Sequence, residues 1–190
     1  MTTNIADYFS EQEIADLTDE TNRSENLEKL TSAAIDVLKR KQLLDLFVPQ
    51  RYDGLQKDLP EALRFLEATS WIDGSLGWTL TLASGAGLFG AFMIPEFAQS
   101  VFSQKNIFIA GSGFPGGKAE KTNSGFHVNG SWKYASGIDH ATLITASCHL
   151  IKDGVIMHED SNPIKKAVAL YPDEIEITGK WNSMGLKATG

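Results

Sequence analysis

Apolar positions recur at helical spacing through the first hundred residues. Beyond about residue 105 they fall at alternate positions or in short runs. Residues 1–23 are polar and acidic, which predicts a short helix or a loose arm. Ser24 followed by Glu25 and Glu28 has the form of a helix start. Leu27, Leu30, Ala34, Val37 and Leu38 then follow at steps of three and four, predicting an amphipathic helix over 25–45. Pro49 disfavours helical geometry before it, so Leu46-Phe47-Val48-Pro49 ends that helix. Residues 49–59, with Tyr52, Asp53 and Gly54, read as a loop. Pro60 suits the first turn of a helix, which Ala62, Leu63, Phe65, Leu66 and Thr69 carry to Trp71.

From Gly74 to Pro95 no charged residue occurs. The length is close to the ~20 apolar residues of a membrane span. Gly77, Gly85, Gly87 and Gly90, with Thr79, Thr81 and Ser84, dilute its hydrophobicity, and no Lys or Arg stands close to either end to fix an orientation. The stretch therefore reads as a helix buried on most sides, its glycines allowing close backbone approach. Pro95-Glu96 opens a further short helix.

The pattern then changes. Ile107 and Ile109 predict a strand entering a Gly-rich loop, Gly111 to Gly117. Lys118–Thr122 and Phe126–Val128 flank Asn123-Ser124-Gly125, a hairpin signal. Further strands are expected at Leu143–Ile151, Val168–Tyr171 and Ile175–Thr178, with a turn at Asp153-Gly154. Helices followed by strands give an α+β order: a helical domain over 1–104 and a β domain of barrel or sandwich type over 105–190.

Composition narrows the function. The 190 residues carry a net charge of -7, which argues against nucleic acid as a partner. The single cysteine, Cys148, permits no internal disulfide and fits a reducing, cytoplasmic setting. Met1 to Ser10 lacks the basic cluster and apolar run of a signal peptide.

Individual motifs are weaker guides. The Gly111–Gly117 loop could offer backbone N–H groups to an anion or a ring carbonyl. It lacks the Gly-Lys-Ser/Thr of a phosphate loop, and a plain connection between strands is the simpler reading. His140, His149 and His158 are nine residues apart, which matches no metal-ligand spacing, and no metal is expected. Cys148 and His149 are neighbours on a strand and face opposite sides, so Cys148 reads as a small core residue. Trp181 is expected to cap the β core.

The chain pivots on Trp132-Lys133-Tyr134-Ala135-Ser136-Gly137-Ile138-Asp139-His140-Ala141. Together with Val48–Leu55, Ala110–Gly117, the Gly125–Gly130 hairpin and Trp181–Gly190, it resembles the acyl-CoA dehydrogenase superfamily over residues 25–190. At Asp53 that family usually has Gly, and Trp181–Gly190 resembles its strand before the C-terminal helices. Dehydrogenases of the family carry a Thr/Ser-Glu-Pro loop followed by Gly-Ser-Asp. Here Phe114 stands before Pro115, and Gly-Ser-Asp is absent. The motif Trp-x-x-Ala/Ser-Ser-Gly-x-x-His-Ala belongs to the reduced-flavin monooxygenase branch, and this chain is similar to it.

That resemblance implies an oxidoreductase using FAD or FMN, with Ser136 at the flavin N5 edge. Tyr134 and Ala135 would line the ring, and Ser112 and Gly113 would lie near its pyrimidine side. Trp78 and Phe89 would wall the substrate pocket. A serine hydroxyl suits N5 because it can donate or accept a hydrogen bond. The implied reaction is hydroxylation of a small molecule with reduced flavin and O2, served by a separate flavin reductase. The alternatives are oxidation of an acyl thioester, or a shortened non-catalytic module that binds a partner. The family's C-terminal four-helix domain, which usually supplies the catalytic base and builds the homo-oligomer, is absent from this chain. No residue pattern closes the fold at Gly190, which reads as a shortened chain.

Overall fold

The computed structural model describes residues 3–105 and 107–190. Five α-helices precede seven strands: α1 Glu11–Leu27, α2 Ser32–Arg40, α3 Leu59–Ile72, α4 Gly74–Gly85 and α5 Pro95–Phe102, then β1 Ile109–Lys121, β2 Phe126–Gly130, β3 Leu143–Lys152, β4 Val155–Ile156, β5 His158–Glu159, β6 Asn162–Pro163 and β7 Lys165–Leu170. The expected α+β order is observed.

The first helix does not start where the apolar spacing placed it. Ser10 and Glu13 form a reciprocal capping box that opens α1 fourteen residues before Ser24. Ser24 is buried, and its hydroxyl accepts from the Thr31 N–H at 3.1 Å instead of capping a helix. Glu28 adopts a left-handed conformation that ends α1, and Thr31 caps α2. The helix predicted over 25–45 is therefore two helices meeting at a sharp joint. α3 starts with Pro60 in its first turn and Asp58 as its cap, and Asp73 caps α4 in turn.

At the joint between helices, residues 48–55 form a tight turn. Asp53 sits at φ 62°, a left-handed conformation that costs most L-residues ~1–2 kcal/mol. Asp53→Gly is expected to raise stability by about 0.5–1 kcal/mol, measured as the midpoint of thermal or denaturant unfolding. Gly54 has no such freedom, since a methyl group there would run into the Val48 backbone.

The uncharged stretch is helical to Gly85 and continues as a 3-10 turn over Ala86–Ala91. Leu76, Thr79, Leu80 and Ala83 are buried, whereas Trp78, Leu82, Leu88 and Phe89 are exposed. α4 is thus buried on most sides, as expected, with one exposed stripe through Trp78 and Leu82. The uniform absence of charge hides that division from any reading of the sequence alone. Among the described residues, no helix is long and apolar enough to cross a membrane.

The helical core extends into the strands. Leu38, Leu46, Leu66, Leu76 and Leu80 pack in one cluster with Phe108 and Ala110 at the head of β1. β1 pairs antiparallel with β2 and parallel with β3, and β3 pairs antiparallel with β7 and β4. The Asn123-Ser124-Gly125 hairpin joins β1 to β2 as expected, with Lys121 opposite Phe126. Cys148 is fully buried in a small sheet core with Ala119, Ala146 and Val168, and burial pushes its thiol up.

Two expectations for the strands are corrected. Gly111–Gly117 is no loop: it lies within β1. From Ser112 to Gly117, five steps along β1 match two along β3, so the strand bulges there. Glycine permits this by close approach, since side chains at Gly111 and Gly116 would strike Thr145 and the Ser131 carbonyl. Ile175–Thr178 forms no strand, because β1 and β7 occupy both edges of β3 and the Pro172–Glu174 turn carries the chain off the sheet.

The residues resembling a final strand form only an isolated bridge, Lys29 with Thr189. Gly190 N–H donates to the Glu28 carbonyl, and Gly137 N–H donates to the Thr189 carbonyl, both at 3.0 Å. The α1–α2 joint is thereby tied to the pivotal segment.

Candidate functional site

The segment following β2 returns along β1. Ser131 N–H donates to the Gly116 carbonyl at 3.1 Å, the Ser112 hydroxyl donates to the Lys133 carbonyl at 3.0 Å, and Thr142 N–H donates to the Phe108 carbonyl at 2.8 Å. The bulge in β1 and the path of residues 131–142 are two sides of one arrangement.

Trp132 anchors the start of the segment. Its indole N–H donates to the Ser147 carbonyl at 2.8 Å. The ring lies over paired glycines: Gly117 and Gly130 are opposite each other in the β1–β2 ladder. A methyl group at Gly130 would approach Trp132 Cη2 to 2.8 Å, and one at Gly117 would collide with the same ring. Only a bare backbone leaves room for the indole.

Tyr134 follows at φ 59°, with 79% of its surface exposed. A bulky residue held left-handed is strained, and such strain gathers at functional sites. Its ring meets the edge of Trp181 at 6.1 Å and 89°. Trp181 donates its indole N–H to the Leu186 carbonyl at 3.2 Å, and Gly190 is packed against it. Trp181 therefore walls a cleft and does not cap the β core.

This cleft has a volume of about 1090 Å³, at the upper end of the ~300–1,000 Å³ usual for small-molecule sites. Ser112, Trp132, Tyr134, Ala135 and Trp181 line it, with the 174–183 strand-less stretch as the opposite wall. Of the residues expected at a flavin, Ser112, Tyr134 and Ala135 are brought together here. Gly113, Ser136, Trp78 and Phe89 do not line the cleft.

Ser136 departs most from expectation. It is 6% exposed, and its hydroxyl accepts a hydrogen bond from the Trp78 indole at 3.3 Å. The next residue, Gly137, is left-handed at φ 77° and packs against Phe108 and Thr79. Ser136 thus joins the cleft-lining segment to α4. Trp78 and Phe89 belong to the exposed apolar face of the α4 stretch, where Trp78 and Leu82 share one side of the helix.

Further along, His140 lies 5.8 Å from the Phe108 ring, and Asp139 pairs with Lys29 at 3.3 Å. Burial pushes the His140 imidazole below its ordinary value, which Asp139 partly offsets.

The arrangement suits a flat, hydrogen-bonding ring. Among the described residues, the backbone N–H groups of Lys133, Tyr134, Ala135 and Ser136 have no hydrogen-bond acceptor. Such donors match ring carbonyls and a ring nitrogen, and the aromatic walls match the ring faces. Trp181 and the 174–183 wall were not among the residues expected at the site. The Tyr134–Trp181 contact spans 47 positions, and nothing local to either residue announces it.

Comparison with known proteins supplies the lineage. No protein-family model matches the chain. It is 30% identical over 182 residues to the oxygenase subunit HsaA of a flavin-dependent monooxygenase from Mycobacterium tuberculosis, covering 93% of this chain and 44% of that protein. It is 26% identical over 156 residues to indole-3-acetate monooxygenase from Pseudomonas putida, covering 82% of this chain and 39% of that protein. Its fold matches XiaF from Streptomyces sp., a structure in complex with FADH2 and glycerol. The TM-score is 0.84 at 20% identity, over 94% of this chain and 44% of that one. The chain spans less than half the length of these relatives. It belongs to the acyl-CoA dehydrogenase superfamily, among its reduced-flavin-dependent monooxygenases.

Proposed function

We propose that this chain is the helical and β portion of the oxygenase component of a two-component flavin monooxygenase. In this reading residues 1–104 form the helical domain and 105–190 the flavin-contacting domain. A separate reductase supplies reduced flavin, and the substrate is a small, aromatic or acyl molecule. The relatives named as monooxygenases and hydroxylases favour this over oxidation of an acyl thioester. The observation that carries it is the convergence of Ser112, Tyr134 and Ala135 on one cleft edged by unpaired backbone N–H groups.

When bound, the flavin would supply the electrons that reduce O2 and make it reactive. The chain's own residues hold and shield it. Trp132 on its glycine shelf fixes the path of residues 133–136. Tyr134 and Trp181 offer aromatic surface, and the free N–H groups fix the edge of the ring by hydrogen bonds. Ser136 serves the reactive edge through its backbone N–H and through the hydroxyl proton, which stays free because the Trp78 indole donates to the oxygen. Trp78 and Phe89 supply apolar cover on the substrate side, which keeps water from the reacting atoms. Cytoplasmic placement and a homo-oligomer complete the reading, supported by the lone buried thiol and the exposed apolar face of α4.

Anaerobic calorimetric titration with reduced FMN and reduced FAD tests the proposal. Saturable uptake of one of them is expected. Ser136→Ala is expected to weaken it by roughly two- to tenfold, the range of one net hydrogen bond. No uptake of either flavin by the unmodified chain would reject the assignment.

A further inference from the structure

Trp78 was expected to form a wall of the substrate pocket, yet it is the one side chain bonded to Ser136. The bond links positions 58 residues apart, and it is the hydroxyl's sole partner among the described residues. We infer that Trp78 is a positioning residue for the flavin, acting through its indole N–H on the Ser136 hydroxyl. This rests on the flavin reading proposed above.

A serine hydroxyl has one proton and two lone pairs, whereas an indole N–H can only donate. Trp78 therefore fixes which way the oxygen is used. One lone pair is taken from the α4 side, and the proton and the second lone pair remain for the site. Because the oxygen accepts a bond, its own proton becomes a better donor.

Both partners are held rigidly. Ser136 is buried, and Gly137 is pinned by the Thr189 carbonyl at 3.0 Å and by the Phe108 ring. Trp78 stands on α4, whose cap Asp73 accepts from the Leu76 N–H at 2.7 Å. The donor is thus held by a capped helix, and the acceptor by a backbone clamped on both sides. Trp78 is also 45% exposed. A purely structural core tryptophan would be covered, whereas this ring presents one part to Ser136 and leaves another open on the exposed stripe of α4. A change of packing on that open side would then reach Ser136 through a single bond.

Two measurements test this. In the flavin-free chain labelled with 15N at tryptophan, the Trp78 indole N–H resonance is expected to move in Ser136→Ala. An unmoved resonance would overturn the inference. In anaerobic titration with reduced flavin, Trp78→Phe keeps an aromatic ring but removes the donor. It is expected to weaken binding roughly two- to tenfold, and the double variant Trp78→Phe with Ser136→Ala is expected to bind no worse than Ser136→Ala alone. Losses that add would make Trp78 an independent wall and overturn the inference. If Ser136→Ala weakens binding while Trp78→Phe leaves it unchanged, the inference falls and the flavin reading stands. If the unmodified chain takes up no reduced flavin, both fall.

Discussion

Phe108→Ala is expected to lower the stability of the fold by about 3–5 kcal/mol, the range for emptying a buried aromatic site. Phe108 is 1% exposed and belongs to the cluster that joins the helices to the head of β1. Its ring faces Gly137 closely enough that a methyl group there would come within 2.8 Å of it. Its backbone is held from both sides, accepting from Thr142 N–H at 2.8 Å and receiving the Thr142 hydroxyl at its own N–H at 2.9 Å. The surroundings therefore cannot collapse easily into the vacated space, which places the cost high in the range. Whole domains are stable by only ~5–15 kcal/mol, so the loss is a large fraction of the total. Urea unfolding checks it: the midpoint should fall with the slope unchanged. A cost under about 1 kcal/mol would contradict the packing, since such values belong to sites away from the core.

The second large effect is functional. Gly117→Ala is expected to abolish flavin uptake while leaving the helical content intact. The added methyl carbon would stand 2.3 Å from Cζ2 of the Trp132 ring, which lies over Gly117 and Gly130. The indole must swing away and give up its bond to the Ser147 carbonyl. Residues 133–136 then lose the anchor that sets their path along β1, and the cleft loses Tyr134 and Ala135 from its lining. The stability cost is moderate, about 1–3 kcal/mol as for other overpacked sites. Far-UV circular dichroism together with calorimetric flavin titration separates the two consequences. Undiminished uptake would show that the glycine shelf does not govern the site.

These residues also show where sequence reasoning reached and where it stopped. The pivotal motif was legible because its members are adjacent in the chain, and its likeness to a known family gave them roles. Ser112 could be joined to it by the same likeness, and the structure brings both to one cleft. Local turn chemistry was legible at Asn123-Ser124-Gly125 and at Pro60, where backbone geometry follows from a few residues. The α1–α2 joint was not. Ser24 followed by Glu25 and Glu28 imitates a helix start, and only the tertiary bond from Thr31 N–H reveals another use for Ser24. The bulged strand at Gly111–Gly117 was read as a loop because glycine signals turns. Its actual cause is the close passage of Ser131 and Thr145, which are distant in sequence. The Ser136–Trp78 bond and the Tyr134–Trp181 contact are likewise long-range, set by topology and by no local pattern.

The placement of the indoles gives the molecule a built-in optical reporter. Of four tryptophans, Trp132 and Trp181 border the cleft and Trp78 touches Ser136, leaving Trp71 on the surface of α3 as a background emitter. Ultraviolet emission from the chain therefore arises mainly beside the place where a yellow chromophore would settle, and energy transfer to such a ring would dim it. Occupancy could be followed by that quenching with no dye attached, and replacing the indoles one at a time would show which of them the acceptor lies beside.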